Sequence, residues 1–231
     1  MKSLAPSGPS TATGPVIPIA CVIHAMVRGS IGFGAVSLLG FSVWAFGERR
    51  FHGRLGEAGL YGACALVFVG SSGLFLHRLM RGPGSLLRFY KLFIPAFLAY
   101  AVTWCAAWFT LRFGLGEWLG SLLGTTAFVA TTSWLLKSYC GFTKAAIVLF
   151  GFHSAGYFLG GQLMHWLTGP AGHTLLAQTN KEELSIITKL SWGLLYGLGF
   201  GAGIGYTFHV FQAEGERPNA VNADQRDKTE P

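Results

Sequence analysis

Six long runs without any Asp, Glu, Lys or Arg dominate this sequence and restrict the folds open to it. A helix rises about 1.5 Å per residue, so about 20 apolar residues cross the ~30 Å hydrocarbon core of a bilayer. Each run is continuously apolar rather than alternating with a period of two, which excludes membrane-barrel strands. The sequence therefore predicts an all-α polytopic integral membrane protein, a bundle of six transmembrane helices. The predicted spans are residues 29–46, 58–76, 92–111, 118–136, 145–167 and 190–211.

The composition agrees with this class and excludes several others. The 231 residues are 51% hydrophobic and 12% charged, about half the charged fraction of a typical soluble domain. The four cysteines form no Cys-x-x-Cys pair, and no Glu-x-x-His or His-x-x-x-His pair occurs. We therefore predict no metal site and no cofactor. The topology would nevertheless allow His77 and His209 to lie at the matching depth that a bis-histidine haem needs.

The net charge of +7 raises the question of which anionic partner the chain contacts. Its lysines and arginines lie in short segments between apolar runs, where anionic lipid explains them better than nucleic acid does. Each basic residue near an anionic surface contributes about 1 kcal/mol of attraction. We therefore predict contact with lipid head groups and no binding of nucleic acid. The predicted head-group contacts lie between the second and third spans: Arg78, Arg81, Arg88 and Lys91.

The same basic residues predict an orientation. Eleven of the 17 lysines and arginines lie in the N-terminal segment, the second and fourth loops and the C-terminal tail. The positive-inside rule then places both termini in the cytoplasm, in a plasma membrane of bacterial type. Arg49, Arg50 and Arg54 in the first loop oppose this assignment.

The predicted organisation is a single membrane domain with polar ends. Residues 1–28 form a polar N-terminal segment and an interfacial approach, although residues 16–28 could instead lengthen the first helix. Residues 29–211 form the six-helix transmembrane domain. Residues 212–231 have too few apolar side chains to form a core, which predicts a disordered cytoplasmic tail.

Glycines recur every four residues in three of the predicted spans. Spacing of four keeps small residues near one face of a helix, so that neighbouring backbones can approach closely in lipid. We therefore predict glycine-rich helix-packing faces, which a membrane protein partner or a second copy of the chain could also use. The predicted packing positions are Gly116, Gly120 and Gly124, then Gly156 and Gly160, then Gly193, Gly197, Gly201 and Gly205.

A set of polar residues is predicted to gather at the noncytoplasmic side. Glu57 and Glu117 precede spans, and Gln162 and His165 lie near the end of the fifth span. His153 lies near the middle of that span, where a polar side chain should turn from lipid towards another helix. Together these five residues predict a polar path for a cation or a proton. The two glutamates have an alternative interpretation, since a carboxylate near a helix start is stabilised by the helix dipole.

Two short strings resemble motifs of the rhomboid intramembrane proteases. They are Gly-Ser-Ser-Gly at residues 70–73 and His-Ser-Ala-Gly-Tyr-Phe-Leu-Gly at residues 153–160. The resemblance implies Ser72 as a nucleophile and His153 as its base, within hydrogen-bond reach of each other. The order of spans differs from the family, because the strings fall in the second and fifth spans rather than in the fourth and sixth.

Three classes of function remain open at this point. Translocation of a small solute or ion through the helical bundle is the leading hypothesis, with His153 and the glutamates on the path. The alternative is a scaffold or accessory subunit of a membrane complex that binds a partner through the glycine faces. An intramembrane serine hydrolase using Ser72 and His153 is the third hypothesis, and the assignment leans away from an enzyme.

Overall fold

The computed structural model describes residues 18–52, 56–175 and 178–215, and this part of the chain is helical without strands. Six of its seven α-helices, all except α6, are long and apolar enough to cross a membrane. A short 3₁₀ turn, His77–Leu79, links the second helix to the third. The helices are α1 Ile19–His52, α2 Gly56–Leu76, α3 Ser85–Leu111, α4 Leu115–Leu136, α5 Phe142–Thr168, α6 Pro170–Leu175 and α7 Lys181–Gly215.

Several helices extend beyond the predicted apolar runs. Helix α1 begins at Ile19, ten residues before the predicted span, and α7 continues to Gly215. The first four residues of the predicted disordered tail, 212–215, are therefore helical, which corrects that boundary. A helix can extend past its apolar run as long as its backbone N–H groups still bond to carbonyl oxygens, because long polar side chains near its ends can reach water. The rest of the predicted tail and residues 1–17 lie outside the described residues.

Glycine ends the helices where the chain reverses between α2 and α3. Gly82 and Gly84 have φ angles of +84° and +68°, in the left-handed region that side chains with a Cβ rarely adopt. Pro83 lies between them and cannot donate a backbone hydrogen bond. This connection brings the 3₁₀ turn against the end of α7.

Helix α7 is the central element of the bundle. In its most apolar 18-residue stretch 72% of the residues are buried inside the protein, compared with 28–44% in the corresponding stretches of the other five long helices. It packs mainly against α1 and α5 and also contacts α4, while α3 pairs with α4 and α2 packs on α1. The core around it is aromatic and includes Phe33, Phe93, Phe97, Phe128, Phe200 and Phe208.

The glycines of α7 lie against two different neighbours. A Cβ placed on Gly201 would meet the backbone of Gly29 in α1, and one placed on Gly199 would meet the backbone of Gly156 in α5. The other predicted glycines also lie at helix contacts: Gly193, Gly197 and Gly205 against α1, Gly160 against α7, and Gly116, Gly120 and Gly124 against α3.

Two serines of α1 use this close approach to bond to the backbone of α7. Ser37 Oγ donates to the carbonyl oxygen of Gly193 at 2.6 Å, and Ser30 Oγ donates to that of Leu198 at 2.9 Å. Both hydroxyls thereby find an acceptor outside their own helix, which most hydroxyls in apolar helices do not. These bonds tie α1 to α7 at two levels of the bundle.

Candidate functional site

His153 lies in the interior of the bundle with no solvent exposure. Helix α5 directs it towards α3 and α7, and its ring lies between aromatic side chains of both. The ring centroids of Tyr100, Tyr196 and Phe200 are 5.4, 5.5 and 5.2 Å from that of His153. Tyr157, one turn further along α5, has its ring nearly parallel to the imidazole at 6.2 Å. The imidazole is therefore held in a fixed position by packing.

A chain of hydrogen bonds runs from His153 across three helices. The Tyr100 hydroxyl lies 2.8 Å from Nε2 of His153 and 3.1 Å from the hydroxyl of Tyr196. Tyr100 is therefore the middle member, and its single proton can point towards only one neighbour at a time. The hydrogen bonds can therefore be arranged in two ways. In one, Tyr196 donates to Tyr100 and Tyr100 donates to His153; in the other, both donors become acceptors and both bonds reverse.

A second polar pair connects this part of α5 with the start of α4. The Tyr157 hydroxyl donates to Oε1 of Glu117 at 3.3 Å. Glu117 lies half-buried in the first turn of α4, where the positive end of the helix dipole stabilises a carboxylate. Trp192 Nε1 donates to the backbone oxygen of Tyr157 at 3.1 Å and fixes that turn of α5 against α7. Glu117 thus marks one end of the bundle, which we call the Glu117 end.

Aromatic side chains separate this network from the other end of the bundle. Phe128 lies 5.8 Å from Phe200 and 6.1 Å from Phe208, measured between ring centroids. All three side chains are fully buried. Phe200 and Phe208 lie on α7 between Tyr196 and its C-terminal turns, and Phe128 packs against both from α4. We call these three residues the phenylalanine layer.

Near the network, several buried polar atoms have no hydrogen-bond partner among the residues that the structure describes. Nδ1 of His153, Oγ of Ser154 and Nε1 of Trp104 are all in this state. An unsatisfied buried polar group costs about 1–3 kcal/mol, so native structures keep few of them. A buried polar atom without a partner calls for an explanation in a native structure, and a proton or a small polar ligand at the imidazole would supply one for Nδ1 of His153.

Two of the predicted path residues do not join this network. Gln162 and His165 are exposed on α5. At 3.6 residues per turn Gln162 lies on the face of α5 opposite His153, so helical phase separates it from the interior. The side chain of Glu57 lies outside the described residues. The structure therefore brings together His153, Tyr157 and Glu117, of which the sequence analysis named the first and the last.

The serine and histidine of the rhomboid-like strings are not close partners here. Ser72 Oγ donates to the backbone oxygen of Val69 in its own helix at 2.7 Å. The Nε2 atom of His153 is engaged with Tyr100. Helices α2 and α5 share no contact in the described part of the chain. The arrangement offers no nucleophile and base pair at these positions.

The histidines do not assemble a metal site within the described residues, where no group of three or more His, Cys, Asp or Glu could hold an ion. His77 Nδ1, at the start of the 3₁₀ turn, lies 2.8 Å from the carbonyl oxygen of Gly73 in the last turn of α2. His209 Nδ1 lies 3.4 Å from a guanidinium nitrogen of Arg81. Each of these rings therefore has a local contact that orients it.

The four predicted head-group contacts divide into two pairs. Arg78 and Arg81 line a cavity beside the end of α7. Arg88 instead donates to the backbone oxygen of Arg81 at 2.6 Å, and Lys91 projects from α3 as an exposed side chain. We call the end of the bundle formed by the 3₁₀ turn and the last turns of α7 the Arg81 end.

Sequence reasoning did not identify Tyr100, Tyr157 or Tyr196 as site residues. Two signals were present, since Tyr157 follows His153 by one helical turn and both other tyrosines interrupt apolar runs. The three tyrosines lie close together because of how α3, α5 and α7 are rotated about their axes. The pattern of a single apolar run does not determine that rotation.

Comparison with known proteins finds no family model, no curated protein and no solved structure that matches this chain.

Proposed function

We propose that this chain is a multi-pass integral membrane protein that translocates a small ion, and that the ion is a proton. The six apolar helices support the membrane assignment. The His153–Tyr100–Tyr196 chain is the observation that carries the functional proposal. It is a buried row of proton donors and acceptors in an apolar bundle, and ionisable groups at such depth usually serve function.

The proposed membrane orientation places the Arg81 end in the cytoplasm of a bacterial-type cell, together with both termini. Arg28, Arg78 and Arg81 meet at that end, which agrees with the positive-inside bias. Anionic lipid head groups are the partner that such an end would contact.

The glycine positions are proposed to hold the bundle together. Lipid is as apolar as the protein interior, so helices associate through close packing rather than through hydrophobic burial. Gly201 and Gly199 let α7 approach α1 and α5 at backbone distance. In this proposal the glycine faces position Tyr196 and His153 within reach of Tyr100.

The proposed path starts at Glu117 and ends in this conformation at the phenylalanine layer. In this proposal a proton taken up at Glu117 passes to the Tyr157 hydroxyl and then to the imidazole one turn deeper, a step that requires the hydroxyl to move into hydrogen-bond reach of Nδ1. His153 can receive it at Nδ1, which is free, while Nε2 hands its proton to Tyr100. A neutral imidazole has one nitrogen of each kind, so this exchange needs no charged resting state. Exit requires the phenylalanine layer to open.

The test is proton flux into proteoliposomes that contain pyranine, driven by a potassium diffusion potential. We expect wild type to acidify the lumen faster than empty liposomes do, and Tyr100→Phe to abolish the difference. Phenylalanine keeps the ring contact with Phe200 at 4.6 Å but removes the middle hydroxyl. Tyr90→Phe is the matched control, because Tyr90 lies on the same helix and, in the described part of the chain, its hydroxyl bonds only to the carbonyl oxygen of Gly70 in α2.

Two outcomes would overturn the proposal. The first is wild-type flux no faster than that of empty liposomes. The second is equal flux in the Tyr100→Phe and Tyr90→Phe variants. A stoichiometric partner copurified in mild detergent, together with absent flux, would favour the accessory-subunit hypothesis instead.

A further inference from the structure

A basic cavity of about 440 Å³ opens at the Arg81 end, away from the proposed proton path. It lies between the first turns of α1, the 3₁₀ turn and the last turns of α7. Arginines come to it from two separate segments, α1 and the connection after α2. Its polar lining consists of Cys21, His24, Arg28, Arg78, Arg81, His209 and Gln212.

Gln212 builds this cavity by fixing the connection to α7. Its Oε1 accepts the backbone N–H of Arg81 at 2.9 Å. Its Nε2 donates to the backbone oxygens of Leu79 and Phe208 at 3.1 and 2.9 Å. The amide is 8% exposed, so these bonds are made in a largely dry environment. A buried side chain therefore holds the 3₁₀ turn and the arginine that follows it in place.

Among the described residues, the charged side chains that line the cavity are all basic. Arg28 and Arg78 are exposed at its walls, and a guanidinium nitrogen of Arg81 lies 3.4 Å from Nδ1 of His209. No carboxylate lines the cavity within the described residues. Guanidinium groups present several N–H donors in a planar fork, a geometry that matches phosphate oxygens. Three arginines around one opening are therefore arranged for an oxyanion.

We propose that this cavity binds a phosphate group. Two sources share that chemistry: the head group of an anionic phospholipid and free inorganic phosphate. The proposed site differs from the head-group contacts predicted from the sequence. It includes Arg28 of α1 together with Arg78 and Arg81, and it does not include Arg88 or Lys91. It stands independently of proton translocation, since none of its residues belongs to the His153 network.

The experiment uses the full chain purified in dodecyl maltoside and stripped of lipid by extended washing. One arm titrates inorganic phosphate, and the other titrates dihexanoyl phosphatidylglycerol, with dihexanoyl phosphatidylcholine as the reference lipid. Binding is read by calorimetry and by native mass spectrometry. We expect saturable binding of phosphatidylglycerol or of phosphate, and the arm that saturates identifies the source.

Two variants each lose two positive charges, one at the cavity and the other away from it. The double variant Arg28→Gln, Arg78→Gln should weaken binding about 30-fold, at about 1 kcal/mol per basic residue and 1.4 kcal/mol per tenfold. The double variant Lys144→Gln, Lys181→Gln removes two exposed charges away from the cavity and should bind as wild type does. Arg28→Lys, Arg78→Lys keeps the charge but loses the planar fork of donors, so it should bind more weakly than wild type and more tightly than the double glutamine variant.

Three results would overturn the proposal. They are no saturable binding of either probe, equal weakening by the two charge-removing variants, and binding of phosphatidylcholine as tight as that of phosphatidylglycerol. Gel filtration and thermal unfolding establish that each variant is folded. If Arg28→Gln, Arg78→Gln is unfolded, the exposed single substitution Arg28→Gln replaces it, with an expected loss of about fivefold.

Discussion

Replacing Gly201 by alanine should force α1 and α7 apart at the centre of the bundle. The new Cβ would lie 2.7 Å from Cβ of Phe33 and 2.8 Å from the carbonyl carbon of Gly29. Non-bonded carbons settle at about 3.5–4.0 Å, so the helices would have to separate by roughly 1 Å at this crossing. Backbone atoms of Gly29 cannot rotate out of the way as the end of a side chain could.

The size of the effect follows from three contributions. Overpacking of a close contact costs about 1–3 kcal/mol. The separation also weakens the bonds of Ser37 and Ser30 to α7, each worth about 0.6 kcal/mol in a membrane helix. Alanine returns up to about 1 kcal/mol through its better helix propensity. The expected net loss in the free energy of unfolding is about 1–3 kcal/mol.

The assay is unfolding by sodium dodecyl sulfate in mixed micelles, followed by the fluorescence of the seven tryptophans. Gly151→Ala is the matched control, because a Cβ at that exposed position of α5 meets nothing within 4 Å. It should leave stability unchanged or raise it by up to about 1 kcal/mol. The reasoning is refuted if Gly201→Ala unfolds at the wild-type detergent fraction, or if Gly151→Ala is destabilised to the same extent.

Three further substitutions test other parts of the structure. Phe128→Ala should cost about 3–5 kcal/mol of stability and, by opening the phenylalanine layer, should raise passive proton leak in proteoliposomes. An unchanged leak would contradict the role of that layer. Gln212→Ala removes three hydrogen bonds worth about 0.5–1.5 kcal/mol each, and hydrogen exchange should show faster exchange of the Arg81 amide, whose acceptor is lost. Ser37→Ala should lower the free energy of unfolding by about 0.6 kcal/mol. Ser42→Ala should change it little, because that hydroxyl bonds within its own helix, and equal losses would argue against the bond between α1 and α7.

The sequence identified the helices better than it identified their ends. All six apolar runs lie within long helices, because about 20 consecutive apolar residues favour a long apolar helix at any position in the chain. The ends differ because polar residues such as His24 and Arg28 extend α1 without breaking its backbone bonds. Gly82 and Gly84 lie in the connection between α2 and α3, within the gap between the second and third predicted spans.

The candidate site was only partly readable from the sequence. His153 could be named because a polar residue in an uncharged run is unusual. Glu117 could be named because it begins a span. The grouping with Gln162 and His165 relied on shared depth alone, and depth does not say which way a side chain points around the helix.

The all-helical fold, the number of long apolar helices and the clustering of basic residues in particular connections follow from the sequence by itself. These are local properties, set by apolar length, backbone bonding and the few charges in each segment. Tertiary structure alone decided that Gly201 meets Gly29, and that His153 meets Tyr100 and Tyr196. The reason is that lipid and protein interior are equally apolar, so hydrophobic pattern does not distinguish the inner face of a membrane helix from its outer face. That distinction is made only when neighbouring helices pack and fix the rotation of each helix about its axis.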